Sequence, residues 1–309
     1  MGTCVGAPSG KLCGIIPVVP TPFTAGDEVD LEALAALIEF AAGAGVPAVC
    51  LPAYGSEFYK LSDSERRKIV NVAIKESRGR VKVVAQSNHP STRLAAELAR
   101  LHQDMGADVI SFAIPRQFAL GEDDILRYCE SVAGAVSVPV LIQDFNPGGP
   151  SVGAEMAARL VQAAGNIRYL KLEEPLMGAK VRAIRTATHD QVSVLEGWGG
   201  MYLLELMADG IAGAMPGLSM CDLFVRVFSL ASTGDMEQAF ELYRFMLPQI
   251  VFSLQNMELF HHCEKRLLHA RGLLASVMVR EPQLHLDSEM EHYSEVLNRE
   301  ILKVAARLA

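Results

Sequence analysis

Short apolar runs alternate along the chain with longer stretches in which apolar residues recur every three or four positions. The runs are "GIIPVVPTPF" (14–23), "AVCLPA" (48–53), "VKVVAQS" (81–87), "DVISFAI" (108–114), "VPVLIQD" (138–144), "IRYLKLEE" (167–174), "VSVLEG" (192–197) and "GIAGAMPG" (210–217). They are nearly continuous rather than alternating, which predicts parallel strands covered on both faces. The stretches between them read as helices. Asp30 is placed to cap "LEALAALIEFAAGAG", whose glycines end it. Ser62 and Glu65 have the spacing of a capping box, and residues 91–105 and 122–135 carry the same helical periodicity. Strand and helix alternating in this way predict a (β/α)8 TIM barrel over residues 14–220. A doubly wound open sheet is the competing architecture, but no GxGxxG follows the first strand. After Gly217 the alternation stops. Residues 221–309 read as three or four helices rich in Leu, Met and Phe that pack on the barrel or on another subunit, and residues 1–13 read as a flexible lead-in.

The 309 residues carry 28 basic and 36 acidic side chains, a formal net charge of −8 with the signs interspersed. Such a chain lacks the basic face that nucleic acid or an anionic membrane requires, and its expected partner is a small molecule. No apolar run approaches the roughly 20 residues of a membrane span, and the start lacks the charged lead and apolar core of a signal peptide. A cytoplasmic location is the expectation. Cys4, Cys13, Cys50, Cys129, Cys221 and Cys263 form no CxxC pair and are expected as reduced, buried thiols. No HExxH or spaced acidic and histidine cluster suggests a metal site. His261 and His262 are adjacent on a helical pattern and do not share a face. The glycine-rich "NPGGPSVG" lacks a phosphate-loop lysine and reads as a turn. No external cofactor is expected.

In a barrel of this kind the chemistry sits at the carboxyl ends of the strands. The first strand ends in Thr21, and the second runs into Tyr54, Gly55, Ser56 and Glu57. The third ends in Gln86, Ser87 and Asn88, and the fifth in Gln143 and Asp144. The sixth carries Lys171 and Glu173, and the seventh Glu196 and Trp198. Lys171 interrupts an otherwise apolar strand. Desolvation disfavours an ammonium, and a neutral amine attacks a ketone to form a Schiff base. The iminium then acidifies the neighbouring carbon. A lysine simply ion-paired with Glu173 at the barrel top is the other reading of the same residues.

Three stretches narrow the choice: "GIIPVVPTPFTAGDEVD", "AYGSEFYKLSDSER" and "YLKLEE". On these the chain resembles the dihydrodipicolinate synthase/N-acetylneuraminate lyase superfamily of Schiff-base barrels, from Gly14 to the C-terminal helices. The first is close to that superfamily's P-x-x-T-P-F pattern. The second is similar to its G-T-T-G-E-x-x-x-L-x-x-x-E-R motif, with Glu57, Leu61, Glu65 and Arg66 in register. The resemblance implies that Lys171 is the Schiff-base lysine. The family's Gly-Thr-Thr-Gly is here Ala53-Tyr54-Gly55-Ser56, so the amides of Gly55 and Ser56, with the Ser56 hydroxyl, are expected to hold the substrate carboxylate. The fifth-strand Tyr-Asn-x-Pro becomes "QDFNP", with either Gln143 or Phe145 in the tyrosine's place; neither relays a proton. The arginine that the synthase uses for its second substrate is missing, and "PGGPSVG" stands there instead.

These departures argue against a dihydrodipicolinate synthase and, less strongly, against a sialic acid lyase, in both of which the tyrosine shuttles protons. Glu173 follows Lys171 by two residues, so in a strand it shares the inward face, and Glu174 points outward. The combination looks like the superfamily's sugar-acid dehydratase branch, that of the 2-keto-3-deoxy-L-arabonate dehydratases. It implies Lys171 and Glu173 as catalytic residues, with Thr21, Tyr54, Gly55, Ser56, Gln143 and Glu196 as substrate contacts. Glu196 and Tyr54 are the alternates for carrying the proton. A retro-aldol lyase of a 2-keto sugar acid and a non-catalytic keto-acid-binding relative are the competing functions. The resemblance also implies a homotetramer.

Overall fold

The computed structural model describes residues 11–146 and 149–308. Its parallel strands are β1 (Gly14–Ile15), β2 (Ala48–Leu51), β3 (Lys82–Gln86), β4 (Val109–Ala113), β5 (Val140–Asp144), β6 (Ile167–Leu172), β7 (Ser193–Glu196) and β8 (Gly213–Ala214). Between them run α1 (Leu31–Gly43), α2 (Asp63–Ser77), α3 (Thr92–Met105), α4 (Glu122–Ala133), α5 (Ala154–Ala163), α6 (Gly178–Ala187) and α7 (Leu203–Met207). The sheet order β1-β8-β7-β6-β5-β4-β3-β2 brings the first and second strands to its two edges. A bridge from Val18 to Cys50 joins those edges, and one from Val18 to Gly217 continues the pairing on the β8 side. The Cys50 amide donates to the Pro17 carbonyl at 2.9 Å, and the Val19 amide to the Cys50 carbonyl at 3.0 Å. The result is a (β/α)8 barrel.

The local signals act as their chemistry dictates. Asp30 accepts from the Ala33 amide at 2.9 Å and starts α1. Ser62 and Glu65 cap each other's backbone at the head of α2. The first strand is much shorter than the apolar run 14–23, because Pro17, Pro20 and Pro22 have no amide hydrogen for a ladder. At β8, Gly213 approaches β1 so closely that a Cβ would fall 1.9 Å from the Gly14 carbonyl oxygen. Alternate strand residues then divide between two cores. Val18, Cys50, Val84, Val109, Leu141, Tyr169, Leu195 and Met215 fill the barrel interior, while Val83, Ile110, Ile142 and Leu170 face the helices.

The eighth βα unit is completed by α8 (Cys221–Ser232), which packs on β1 and α7. The barrel's last helix therefore lies within the span expected as the extension. Beyond it come α9 (Met236–Ser253), α10 (Met257–Ala270) and α11 (Ser288–Leu308). No helix among the described residues is long and apolar enough to cross a membrane. Cys50, Cys129, Cys221 and Cys263 are free and buried; burial pushes the Cys50 and Cys263 thiols up to about 12. Cys13, by contrast, is disulfide-bonded. This corrects the expectation of reduced thiols throughout, since pairing depends on which cysteines the fold brings together and not on spacing alone. Residues 1–10 of the expected lead-in, Cys4 among them, and Pro147 and Gly148 of the expected turn lie outside the described residues.

Candidate active site

Lys171 is the fifth residue of β6, and strand alternation turns it to the barrel interior with Tyr169 below it. Its Nζ lies 2.9 Å from Glu173 Oε1, and both side chains are buried. The Gln143 amide group donates to that same oxygen at 2.6 Å. Gln143 stands beside Lys171 in the β5–β6 register, so the structure places Gln143, and not Phe145, level with the lysine. Gln143 Oε1 in turn accepts from Gln86 Nε2 at 2.5 Å. Four side chains from β3, β5 and the end of β6 thus form one connected polar cluster. Glu174 turns the other way: it accepts from the Ser151 amide at 2.6 Å and pairs with Lys180 of α6.

The cluster borders an inner cavity of about 40 Å³ lined by Lys171, Glu173, Gln143, Tyr54 and Gly55, with Gly197 and Gly217 also on its wall. An outer cavity of about 230 Å³ opens beside it, between Phe145, Trp198, Gln255 and Asn256. The two share Glu173, Gly197, Leu254, Met257 and Phe260. A larger groove of about 670 Å³ between α8 and α11 contains none of the strand-end polar residues and lies apart from this chemistry. Tyr54 packs on Phe58 and Phe145. Burial, and then the Glu173 charge, raise its phenol above the ordinary range.

Three expected contacts fall outside both cavities. Ser56 is fully buried behind the loop; its hydroxyl donates to the Val19 carbonyl at 2.5 Å and accepts from the Ala53 amide at 2.9 Å. Its own amide donates to the Ala53 carbonyl at 2.9 Å. Ser56 therefore shapes the turn and has no donor to spare for a carboxylate. Thr21 likewise spends its hydroxyl on the Ser56 carbonyl, at 2.7 Å. Glu196 is in register with Leu172, whereas Leu195 is in register with Lys171, so the Glu196 side chain leaves the opposite face of the sheet. There it accepts from the Gly200 amide at 2.8 Å. Burial pushes its carboxyl up to about 7, against the opposing hydrogen bonds from the Gly200 and Tyr202 amides.

Several site residues carry no signal in a linear reading. Gly197 sits against Lys171 and Glu173: a Cβ there would lie 2.5 Å from Glu173 Cγ and 2.8 Å from Lys171 Cγ. Met257 and Phe260 come from α10, far along the chain. That helix also carries Lys265, a second buried lysine, which burial lowers to about 8. Lys265 Nζ is held by Glu57 Oε1 at 2.5 Å and the Met278 carbonyl at 2.7 Å, and it borders neither cavity. Asp144 is fully buried and takes both arms of Arg116, at 2.9 and 2.7 Å, which fixes the end of β5 next to Gln143. Among the described residues no group of three or more His, Cys, Asp or Glu is placed to hold a metal ion.

A parallel barrel with a buried lysine at the carboxyl end of its sixth strand defines a class, and residues 11–300 match the Dihydrodipicolinate synthetase family. The chain belongs to that family, which is one of lyases. It is 29% identical over 287 residues to the L-2-keto-3-deoxyarabonate dehydratase of Azospirillum brasilense, covering 90% of this chain and 91% of that one. It is 26% identical to the 4-hydroxy-tetrahydrodipicolinate synthase of Methanopyrus kandleri, covering 94% and 96%. Among solved structures it is similar to YagE, a prophage protein of Escherichia coli K12 from the dihydrodipicolinic acid synthase family, in complex with pyruvate. The TM-score is 0.86 at 26% identity, with 94% of this chain and 98% of that one covered.

Proposed function

We propose that this protein is a Schiff-base dehydratase of a 2-keto-3-deoxy sugar acid, with 2-keto-3-deoxy-L-arabonate as substrate and 2-oxoglutarate semialdehyde and water as products. The observation that carries the reading is the cluster inside the barrel. Lys171 lies 2.9 Å from a carboxylate, and the same carboxylate oxygen is held at 2.6 Å by an amide, Gln143, which donates a hydrogen bond but relays no proton. The similarity to a keto-deoxy-arabonate dehydratase over nine-tenths of the chain supports the same choice.

In this reading the Lys171 amine adds to the C2 ketone and expels water, leaving an iminium. Glu173 removes a proton from C3, and the electron pair forms an enamine. The enamine expels the C4 hydroxyl, which leaves as water after taking a proton. Loss of a C5 proton and return of one to C3 leave a C4–C5 enol; protonation at C4 and loss of the enol hydroxyl proton give the C5 aldehyde, and hydrolysis frees Lys171. One water is lost overall. The inner cavity takes the keto-acid head, with Gly55 and Tyr54 beside it. The outer cavity takes the hydroxylated tail between Phe145 and Trp198. A Gln at position 143 suits elimination better than carbon–carbon chemistry, because elimination needs one base near C3 and no phenol relay.

The test is product identification after incubation with 2-keto-3-deoxy-L-arabonate and with its stereochemical and chain-length relatives. Loss of one water to give the semialdehyde is the expected result. Pyruvate plus glycolaldehyde would make the enzyme a retro-aldol lyase, and recovery of bound, intact ligand would make it a binding protein.

A further inference from the structure

The polar cluster has a direction. A carboxylate only accepts hydrogen bonds, whereas a side-chain amide has one accepting and one donating end. With Glu173 as acceptor, Gln143 must turn its NH₂ group toward Glu173 Oε1, and the 2.6 Å contact has that sense. The Gln143 carbonyl then faces β3, where Gln86 must offer its own NH₂ group, at 2.5 Å. One group is left over. Gln86 Oε1 is buried with no hydrogen-bond partner, and so is the hydroxyl oxygen of Ser111, the residue in register with Gln86 on β4. An orphaned buried carbonyl is costly and calls for an explanation. If Gln86 were turned to satisfy it, two carbonyl oxygens would face each other and Gln143 would lose its anchor.

We propose that Gln86 is a positioning residue for Glu173 and acts on it through Gln143. The inference rests on the reading that Glu173 takes the C3 proton. Gln86 borders neither cavity, so it does not touch the substrate. Its amide fixes the rotation of Gln143, and Gln143 together with Lys171 occupies Glu173 Oε1. Glu173 Oε2 makes no hydrogen bond among the described residues and is the oxygen presented to the ligand. Without Gln86 the Gln143 amide is free to rotate, and the carboxylate loses the donor that sets its orientation. Lys171, on its own strand, keeps its place.

The experiment compares wild type with Gln86→Met, a substitution of similar length that removes both polar ends. Pyruvate is the probe, since it needs only the lysine and the base. Two quantities are read: reductive trapping of pyruvate by borohydride, and exchange of the pyruvate methyl protons in heavy water. Gln86→Met is expected to trap pyruvate as wild type does, with an unchanged KM, while its maximal exchange rate falls roughly 10- to 100-fold, as for a slightly misplaced catalytic group. Gln143→Leu should lose exchange at least as strongly, and the double variant should lose no more than Gln143→Leu alone. Gln86→Asn keeps an amide but cannot reach; it should show the same loss as Gln86→Met, and a well-folded Gln86→Asn that exchanges at the wild-type rate would overturn the proposal if Gln86→Met fails to fold. Wild-type exchange in Gln86→Met, parallel loss of trapping and exchange, or losses that multiply in the double variant each overturn it. A wild-type protein that neither traps nor exchanges pyruvate overturns the Schiff-base reading along with it.

Discussion

Glu173 serves two groups with one oxygen, Lys171 Nζ at 2.9 Å and the Gln143 amide at 2.6 Å. That arrangement admits two roles, base or counter-ion, and a single substitution separates them. General bases contribute about 10²–10⁴-fold in rate, so Glu173→Gln is expected to slow turnover by that order while Lys171 still traps a keto acid. Exchange of the C3 proton by the variant at the wild-type rate would show that Glu173 is not the base. At this scale much of the site was legible. Lys171 lies on β6 and Glu173 follows its last residue, and the period of two puts both inside. Ser56 and Thr21 misled because a hydroxyl in a motif says nothing of where its hydrogen goes; both are spent on backbone carbonyls. Gly197 was illegible, because its need is for space beside two side chains from another strand.

Strands and their connecting loops set which face a residue takes, and here the register decided more than composition did. Glu196 ends β7 as a polar residue should at a barrel mouth, yet the register puts it on the helix side of the sheet. Its carboxyl is held by the Gly200 amide, and the Gly200 carbonyl accepts from Tyr243 of α9 at 2.6 Å. Glu196 thus ties down the loop that carries Gly197 and Trp198. Its folded-state value of about 7 stands above the ordinary 4.5. A carboxyl raised on folding favours the native state fully below the unfolded value, and that contribution is lost as pH rises through the folded one. Between pH 5 and pH 8 the wild type is therefore expected to lose stability relative to Glu196→Gln. Denaturant midpoints of the two proteins at both pH values check it; a constant difference would show that Glu196 is ionised in the fold throughout. The short first and last strands follow from prolines and glycines visible in the chain, but the apolar runs around them hid their ends.

Across the whole molecule the turn after α9 and the start of α10 belong to the site. Leu254, Met257 and Phe260 wall both cavities, and α10 is locked to the second βα loop by the buried Lys265–Glu57 pair, both side chains 1% exposed. Truncating one partner of a buried pair costs about 3–5 kcal/mol. Lys265→Met is expected to lose stability by the lower end of that range, since Glu57 keeps Lys60 at 3.2 Å and the Arg280 amide at 3.1 Å. Urea unfolding measures it, and an unchanged midpoint would remove the lock. The alternation of apolar runs revealed the barrel, but no local pattern tells a helix that caps a pocket from one that only covers a core. Helix α9 leaves Met236, Phe240 and Val251 exposed along one stripe. The resemblance implies a homotetramer; sedimentation as a monomer at micromolar concentration would contradict it.

The proposed dehydratase chemistry depends on Lys171 as the nucleophile. Among the described residues Lys171 and Lys265 are both buried, and of the two Lys171 borders a cavity, whereas Lys265 is enclosed by Glu57 and the Met278 carbonyl. Borohydride reduction in the presence of pyruvate, followed by peptide mass mapping, distinguishes them directly. One adduct is expected, on the peptide containing Lys171, and none in the Lys171→Ala variant. An adduct on Lys265, or turnover retained by Lys171→Ala, would contradict it.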